Sequence, residues 1–268
     1  MWLRRYVAVA GTPERVVGYG ALWQVWRHKF RIDLAVVAEH RRRGIGGLLL
    51  DRLADQARTA GAATLQARAD SDWVQSLAFL HRRGFTETMR MHRLVLDVAT
   101  ATLAPFAGVE HRLAGEGIVL TTLAEEHRRI GEACWALLRD LHNDARRGWP
   151  NPDPDPGPPQ PATIEEVRRL HQPGDPDWLL PCFLAIRDGE YLGFAGSPGT
   201  AVRPSVRGRG IATALKVRVV TAARQRGLST LRSASGNPAM LKVNERLGYQ
   251  RTSTEIRLVR PLVALRRQ

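Results

Sequence analysis

The chain has 268 residues, 44% of them apolar, with 40 Lys and Arg against 26 Asp and Glu and a formal net charge of +14. That apolar share suits a protein that buries a core, and no run of about 18 apolar residues is present to form a membrane-spanning helix. Two cysteines, Cys134 and Cys182, make no disulfide framework and fit reduced thiols and a cytoplasmic location.

The basic excess is nearly all arginine; Lys29, Lys216 and Lys242 are the lysines. Such charge bears on partners and solubility rather than on fold. An arginine-biased composition accounts for most of it, and sites for a polyanionic ligand account for a few residues. Without an RNA-binding motif, and without aromatics interleaved with the basic runs, no nucleic-acid partner is expected. The opening MWLRRYVAVAG is too short and too alternating for a signal peptide.

Trp2 to Ala10 reads as a strand, Gly11-Thr12-Pro13 as a turn, and Val16–Trp23 and Phe30–Val37 as further strands. A helix is predicted over Gly44–Ala60 and a short strand over Thr64–Arg68. A second helix runs through Arg83, with N-cap oxygens from Asp70, Ser71 or Asp72. Phe85–Met91 and His92–Val98 are expected to close this half as a pair of strands, giving βββαβαββ. Residues 100–116 read as a linker between units 1–99 and 117–268, apolar enough at Leu103, Phe106 and Val109 to pack.

Ile118–Thr122 begins the second half as a strand, and Glu125–Ala145 reads as one long helix with Ile130, Ala133, Cys134, Leu137, Leu138 and Leu141 on its apolar face. The proline-rich acidic stretch from Trp149 to Pro161 cannot join a sheet or helix interior. It serves as a connector, or as a lid over an acceptor pocket. Thr163 and Glu166 form a capping box for a short helix to about His171. Cys182–Arg187 and Tyr191–Ala195 form a hairpin around Asp188-Gly189. A strand at Thr230–Ser233, a helix at Pro238–Leu247 and strands at Tyr249–Thr254 and Glu255–Val259 complete the order βααβββαβαββ.

One device occurs twice. Thr200 to Gly227 reads as a strand end, a basic glycine loop and a helix; Leu34 to Gly61 repeats it. Val36 matches Val202, Arg41 matches Arg207, Gly44 matches Gly210, Ile45 matches Ile211 and Gly46 matches Ala212, each pair 166 positions apart. Glycines ahead of a helix turn backbone N–H groups toward one point, and the helix dipole behind them favours an anion such as a phosphate. Either loop can equally be a tight turn that holds no ligand.

These loops carry a family resemblance. Arg41-x-x-Gly44-x-Gly46 and Arg207-x-x-Gly210-x-Ala212 resemble the Q/R-x-x-G-x-G/A loop of the GNAT superfamily of N-acetyltransferases. Each copy is followed by a helix ending in Gly84-Phe85 or Gly248-Tyr249, as in that family. The likeness covers nearly the whole chain and is similar to the tandem subgroup. It implies an α/β (α+β) protein of two GNAT-like domains, each a mixed, mostly antiparallel sheet flanked by helices, the first without its opening strand and two helices.

The resemblance also implies acetyl-CoA as co-substrate. Val202 and Arg203 would hold the pantetheine arm and polarise the thioester carbonyl, and Arg207, Gly208, Arg209, Gly210, Ile211 and Ala212 the pyrophosphate, with Asn237 and Asn244 as further contacts. Val36, Val37, Arg41, Arg42, Arg43, Gly44, Ile45 and Gly46 match those roles in a second possible site. The family's tyrosine acid, four residues before the glycine of the Gly-Phe/Tyr ending, is replaced by Leu80 and Asn244. Asn244 reads as a poor proton source or as a surface amide, and Asn237 as an N-cap. Asp33, on the strand before the first loop, reads as a base or as a solvated carboxylate; Asp140, with Asn143 and Asp144, reads as pocket lining or as a solvated helix end. His142 and His171 lack metal-ligand spacing, so no metal is expected.

The expected function is acetyl transfer to a primary amine of a small molecule, performed by the second half, in a monomer or homodimer away from membranes. The alternatives are a CoA-sensing protein without turnover and a protein or peptide N-terminal acetyltransferase. One irregularity stands out. Gly18 and Gly193 are 175 apart, yet Val36 and Val202 are 166 apart, so the second half is nine residues short before its loop. Either the hairpin is truncated, or residues are missing from the sequence there.

Overall fold

The computed structural model describes residues 3–26, 28–147, 161–171, 180–196 and 199–262. Trp2 and the proline-rich connector up to residue 160 lie outside them, and with the connector the expected lid. In chain order the first elements are β1 (Leu3–Ala10), β2 (Arg15–Trp26), β3 (Lys29–Val36), α1 (Ile45–Thr59), β4 (Thr64–Asp70), α2 (Val74–Arg82) and β5 (Thr86–Asp97). Then come α3 (Val109–Gly115), β6 (Val119–Thr122), α4 (Leu123–Ile130), α5 (Ala133–Arg147), α6 (Ile164–His171), β7 (Phe183–Arg187), β8 (Glu190–Gly196) and β9 (Gly199–Val202). The chain ends with α7 (Ile211–Gln225), β10 (Thr230–Ser235), α8 (Pro238–Arg246) and β11 (Gln250–Pro261). No helix among the described residues is long and apolar enough to cross a membrane.

Contacts divide the chain into two compact units, Met1–Met91 with Ser253–Gln268, and His92–Thr252. These differ from the expected 1–99 and 117–268. The reason is in the last strands of each half, where two strands apiece were expected. Thr86–Asp97 and Gln250–Pro261 are each one continuous strand. Neither contains a glycine, or a proline before its final residue, to turn the chain. Each therefore runs on into the other half's unit.

In the first unit β1, β2 and β3 form an antiparallel meander. β3 then pairs in parallel with β4 at Lys29↔Thr64, Phe30↔Leu65 and Arg31↔Gln66 and parts from it beyond. The C-terminal strand closes this sheet, from Glu255↔Asp70 to Pro261↔Thr64. Its Ile256 and Leu258 join Leu22, Phe30, Leu50, Leu53, Leu65, Leu80 and Phe85 in one apolar core.

The second unit holds the antiparallel sheet β6-β7-β8-β9. There β10 pairs with the far end of β5, Thr230↔Asp97 to Ser235↔His92. The expected linker folds into this unit: Phe106 and Leu113 are buried in its cores. The long helix expected over Glu125–Ala145 is two helices, because Gly131 takes φ 59° between α4 and α5. Thr122 and Glu125 form a capping box that starts α4, a signal the sequence carried unread. Asp188 and Gly189, at φ 52° and 77°, make the tight turn expected of them. α2 starts after Trp73 without a side-chain cap, since Ser71 Oγ donates to the neighbouring Asp72 carboxylate instead. Where the second half is nine residues short, Gly196 pairs with Gly199, and β9 is four residues long where β3 has eight.

Candidate functional site

The two loops fold alike, residue for residue. Val37 N–H donates to Val17 C=O and Arg203 N–H to Leu192 C=O, each at 2.9 Å. In an antiparallel ladder hydrogen-bonded and non-hydrogen-bonded pairs alternate. The preceding pairs, Gly18↔Val36 and Gly193↔Val202, therefore turn the Val36 and Val202 N–H groups away from the partner strand. Gly18 and Gly193 face α1 and α7 there. A Cβ on either would come within 2.9 Å of Ile45 Cγ2 or 3.2 Å of Ile211 Cγ2, so only glycine lets each helix start so close to its sheet.

Beyond the strand, Arg41 Nε donates to Val36 C=O at 2.9 Å, and Arg207 Nε to Val202 C=O at 3.3 Å. These arginines tie their loops into shape. Gly44 and Gly210 then take φ 86° and 90° immediately before helices of equal length, α1 and α7. Two residues earlier, Gly208 takes φ 82°, where the first copy forces Arg42 into φ 59°. A left-handed residue is natural for glycine and strained for arginine, so the second loop is the relaxed version. Backbone N–H groups in this arrangement, ahead of a helix N-terminus, suit a phosphate.

The surroundings of the loops differ. A Cβ on Gly44 would meet nothing within 4 Å, whereas one on Gly210 would meet Arg112 Nη2 at 3.2 Å. Arg112, on α3, is a cation beside the second loop that sequence reasoning missed. Arg209 pairs with Glu116 at 3.2 Å at the end of the same helix. Next to the loops the sheets open: β3 leaves β4 after three residue pairs, and β9 pairs with β8 alone among the described strands.

The remaining expected residues separate. Arg203 is committed by its backbone to Leu192 and Val206 and by its side chain to Tyr191 C=O, Asp144 and Glu190, which leaves Val202 to face the opening. Asn237 caps α8, its Oδ1 accepting from Ala239 N–H at 2.9 Å. Asn244 is no surface amide: it is fully buried, with neither Oδ1 nor Nδ2 partnered. Asp33 is exposed in the first unit. Asp140 is exposed and pairs with Arg139 at 2.8 Å. Asn143 Oδ1 accepts from Ala162 N–H, and Asp144 pairs with Arg203, so both hold structure.

Two clusters came together that the sequence did not announce. Tyr191 Oη donates to the Glu126 carboxylate at 3.0 Å in the core, and Arg129 grips the same carboxylate with two N–H groups. Those Arg129 bonds, more than the tyrosine, hold the Glu126 carboxyl below its usual range. His142 and His171 meet edge to face against the ring of Phe194. Among the described residues no group of three or more His, Cys, Asp or Glu side chains is arranged to hold a metal ion.

A chain in which a strand, a glycine loop and a helix recur in the same geometry is an α/β protein built by duplication. The sequence model of the Acetyltransferase (GNAT) family matches residues 2–85 and 138–249, and the chain belongs to that family. A mycothiol acetyltransferase of Cellulomonas flavigena is 25% identical over 278 residues, covering 93% of this chain and 72% of that protein. Among solved structures, a GCN5-related N-acetyltransferase from Sphaerobacter thermophilus superposes with a TM-score of 0.71 at 19% identity, covering 97% of this chain and 82% of that one. A tandem GNAT protein from the clavulanic acid biosynthesis pathway gives 0.62 at 19% identity, covering 98% and 83%. The protein is an acyltransferase of tandem GNAT organisation.

Proposed function

We propose that the second unit transfers an acetyl group from acetyl-CoA to a primary amine of a small molecule. The observation that carries this reading is the relaxed second loop, with Gly208 and Gly210 both left-handed, α7 behind them and Arg112 beside them. These residues fit the pyrophosphate of the co-substrate: a cradle of N–H groups, a helix N-terminus and a nearby cation. When bound, acetyl-CoA supplies the acetyl group as an activated thioester.

The chain's own residues then have distinct tasks. The loop from Arg207 to Ala212 binds the diphosphate. Val202 N–H, turned from β8, donates to the pantetheine arm or to the acyl oxygen. α4, α5 and α6 of the second unit shape the acceptor side; the first unit has no counterpart to them among its described residues. Holding amine and thioester together contributes much of the rate, provided the amine arrives neutral. The name of the Cellulomonas relative supports a small-molecule acceptor over a peptide. In the first unit Val36, Val37 and the loop from Arg41 to Gly46 form a second, unproductive site for CoA, with the strained Arg42 in place of Gly208.

The test is thermal denaturation with acetyl-CoA or CoA, followed by thiol release against a panel of amines and mass spectrometry of the products. A ligand that binds only the folded state raises its melting temperature. No shift at millimolar CoA overturns the co-substrate assignment. A shift, with acetylated peptides and no acetylated small amines, moves the acceptor to the peptide class.

A further inference from the structure

Three interior positions distinguish the two copies. The first unit fills them with Leu50, Leu80 and Phe85, all in one apolar cluster. The second unit places Lys216, Asn244 and Tyr249 at the matching positions, 166, 164 and 164 residues later. Lys216 is 6% exposed, on the face of α7 turned inward, five residues beyond the Ile211 that starts the helix. Its ammonium stands 4.8 Å from the centroid of the Tyr249 ring. Tyr249 N–H donates to Asn244 C=O at 3.1 Å, which ties the residue whose ring faces Lys216 to the end of α8. Asn244 is wholly buried with both amide atoms unpartnered.

The twin shows that this corner packs well with apolar side chains. Burying a cation and an unpaired amide in place of two leucines works against stability. Such local violations mark functional positions. Among the described residues no carboxylate lies within ion-pair reach of Lys216; the titratable group against it is Tyr249, which burial raises to about 12 and keeps neutral. The ring face partly compensates the cation.

We propose that Lys216 and Asn244 receive the sulfur that leaves during acyl transfer, with Lys216 as its proton donor. This rests on the acetyl-CoA reading above. The acceptor nitrogen bonds to the acyl carbon, the carbon–sulfur bond breaks, and its electron pair leaves on sulfur. The Lys216 ammonium gives that sulfur a proton and becomes a neutral amine. The proton shed by the acceptor nitrogen passes to solvent, from which Lys216 is recharged. Asn244 Nδ2 donates a hydrogen bond to the same sulfur. Burial lowers Lys216 to about 8, near the value of about 8.5 for an ordinary thiol, which balances the transfer.

The experiment uses the full chain with Lys216→Leu, which copies the twin, Lys216→Arg and Asn244→Leu. Binding of CoA and of acetyl-CoA is measured by calorimetry as pH rises, alongside turnover. The wild type is expected to favour CoA over acetyl-CoA increasingly as pH rises to about 8, because the bound thiolate sits beside a cation, and decreasingly above it as free Lys216 gives up its charge. Lys216→Leu loses that preference, keeps its fold by circular dichroism, and loses about a hundredfold in kcat with little change in KM for acetyl-CoA. Lys216→Arg keeps the preference and loses turnover, since arginine does not release its proton. Asn244→Leu weakens both. A Lys216→Leu protein with wild-type pH dependence of CoA binding and wild-type kcat overturns this assignment alone. A wild type that binds neither ligand overturns the co-substrate reading with it.

Discussion

His142 Nε2 and His171 Nε2 lie 2.7 Å apart, although 29 residues separate them in the chain. At that distance one nitrogen carries the hydrogen and the other accepts it. Burial lowers His142 to about 4, with help from Arg146, and His171 to about 3, with help from His142. The unfolded chain takes up protons near pH 6.5, before the folded one does. Stability from this pair is therefore complete above about pH 6.5 and is lost as pH falls toward about 4, by about 1.4 kcal/mol per pH unit for each histidine. Urea melts across that range should show this slope, and His142→Phe should reduce it. An unchanged slope in that variant would place the acid sensitivity elsewhere.

In the cluster of Glu126, Tyr191 and Arg129 it is the Glu126 carboxyl that titrates at the acid end. The folded carboxyl of Glu126 is held low by Arg129 and Tyr191. Its contribution is present above the ordinary carboxylate value of about 4.3 and is lost as pH falls through the lowered one. Tyr191→Phe removes one hydrogen bond to a buried charge and should cost about 1.5–3 kcal/mol at neutral pH. Denaturant unfolding at pH 7 measures it. A loss below about 0.5 kcal/mol would mean Arg129 alone satisfies the carboxylate.

Gly46→Glu and Ala212→Glu form a matched pair for the two loops. A carboxylate in the first turn favours the helix dipole, so neither helix should be undermined. The same charge repels a diphosphate. Ala212→Glu should abolish protection by CoA and turnover, and Gly46→Glu should leave turnover largely intact. The opposite pattern assigns the chemistry to the first unit, and loss in both couples the two.

Leu258 is fully buried and Ile256 is 2% exposed, both in the first unit's core although they stand near the end of the chain. Leu258→Ala should destabilise that core by about 2–5 kcal/mol. Hydrogen exchange should then speed up in β4, at Thr64–Asp70, while β10 keeps its protection. Faster exchange at Thr230–Ser235 instead would contradict the strand assignment.

The repeat was legible because it is local. Loop, helix start and strand end lie within about 30 residues, and glycine positions read directly as backbone geometry. The strand exchange was not legible, because a continuous strand and a pair of strands share one alternating pattern, and partner choice is set by distant residues. The histidine pair and the Tyr191–Glu126 bond were hidden for the same reason of distance. Lys216 was hidden differently. A lone lysine in a helix reads as a solvated face, and only its match to Leu50 reveals an interior position. That Arg41 and Arg207 also hold their own loops, each through a strand carbonyl, was not legible either.

The shared final strands also bear on synthesis. A chain emerging from the ribosome completes β1 to β4 early, but Glu255–Pro261, the partner of Thr64–Asp70, is made only after the whole of His92–Thr252. Until then the β4 edge stands open, with unpaired N–H and C=O groups that invite pairing with a neighbouring nascent chain. The N-terminal half, expressed alone, should for that reason be a sticky fragment rather than a small domain, and adding the C-terminal strand as a separate peptide is the natural rescue.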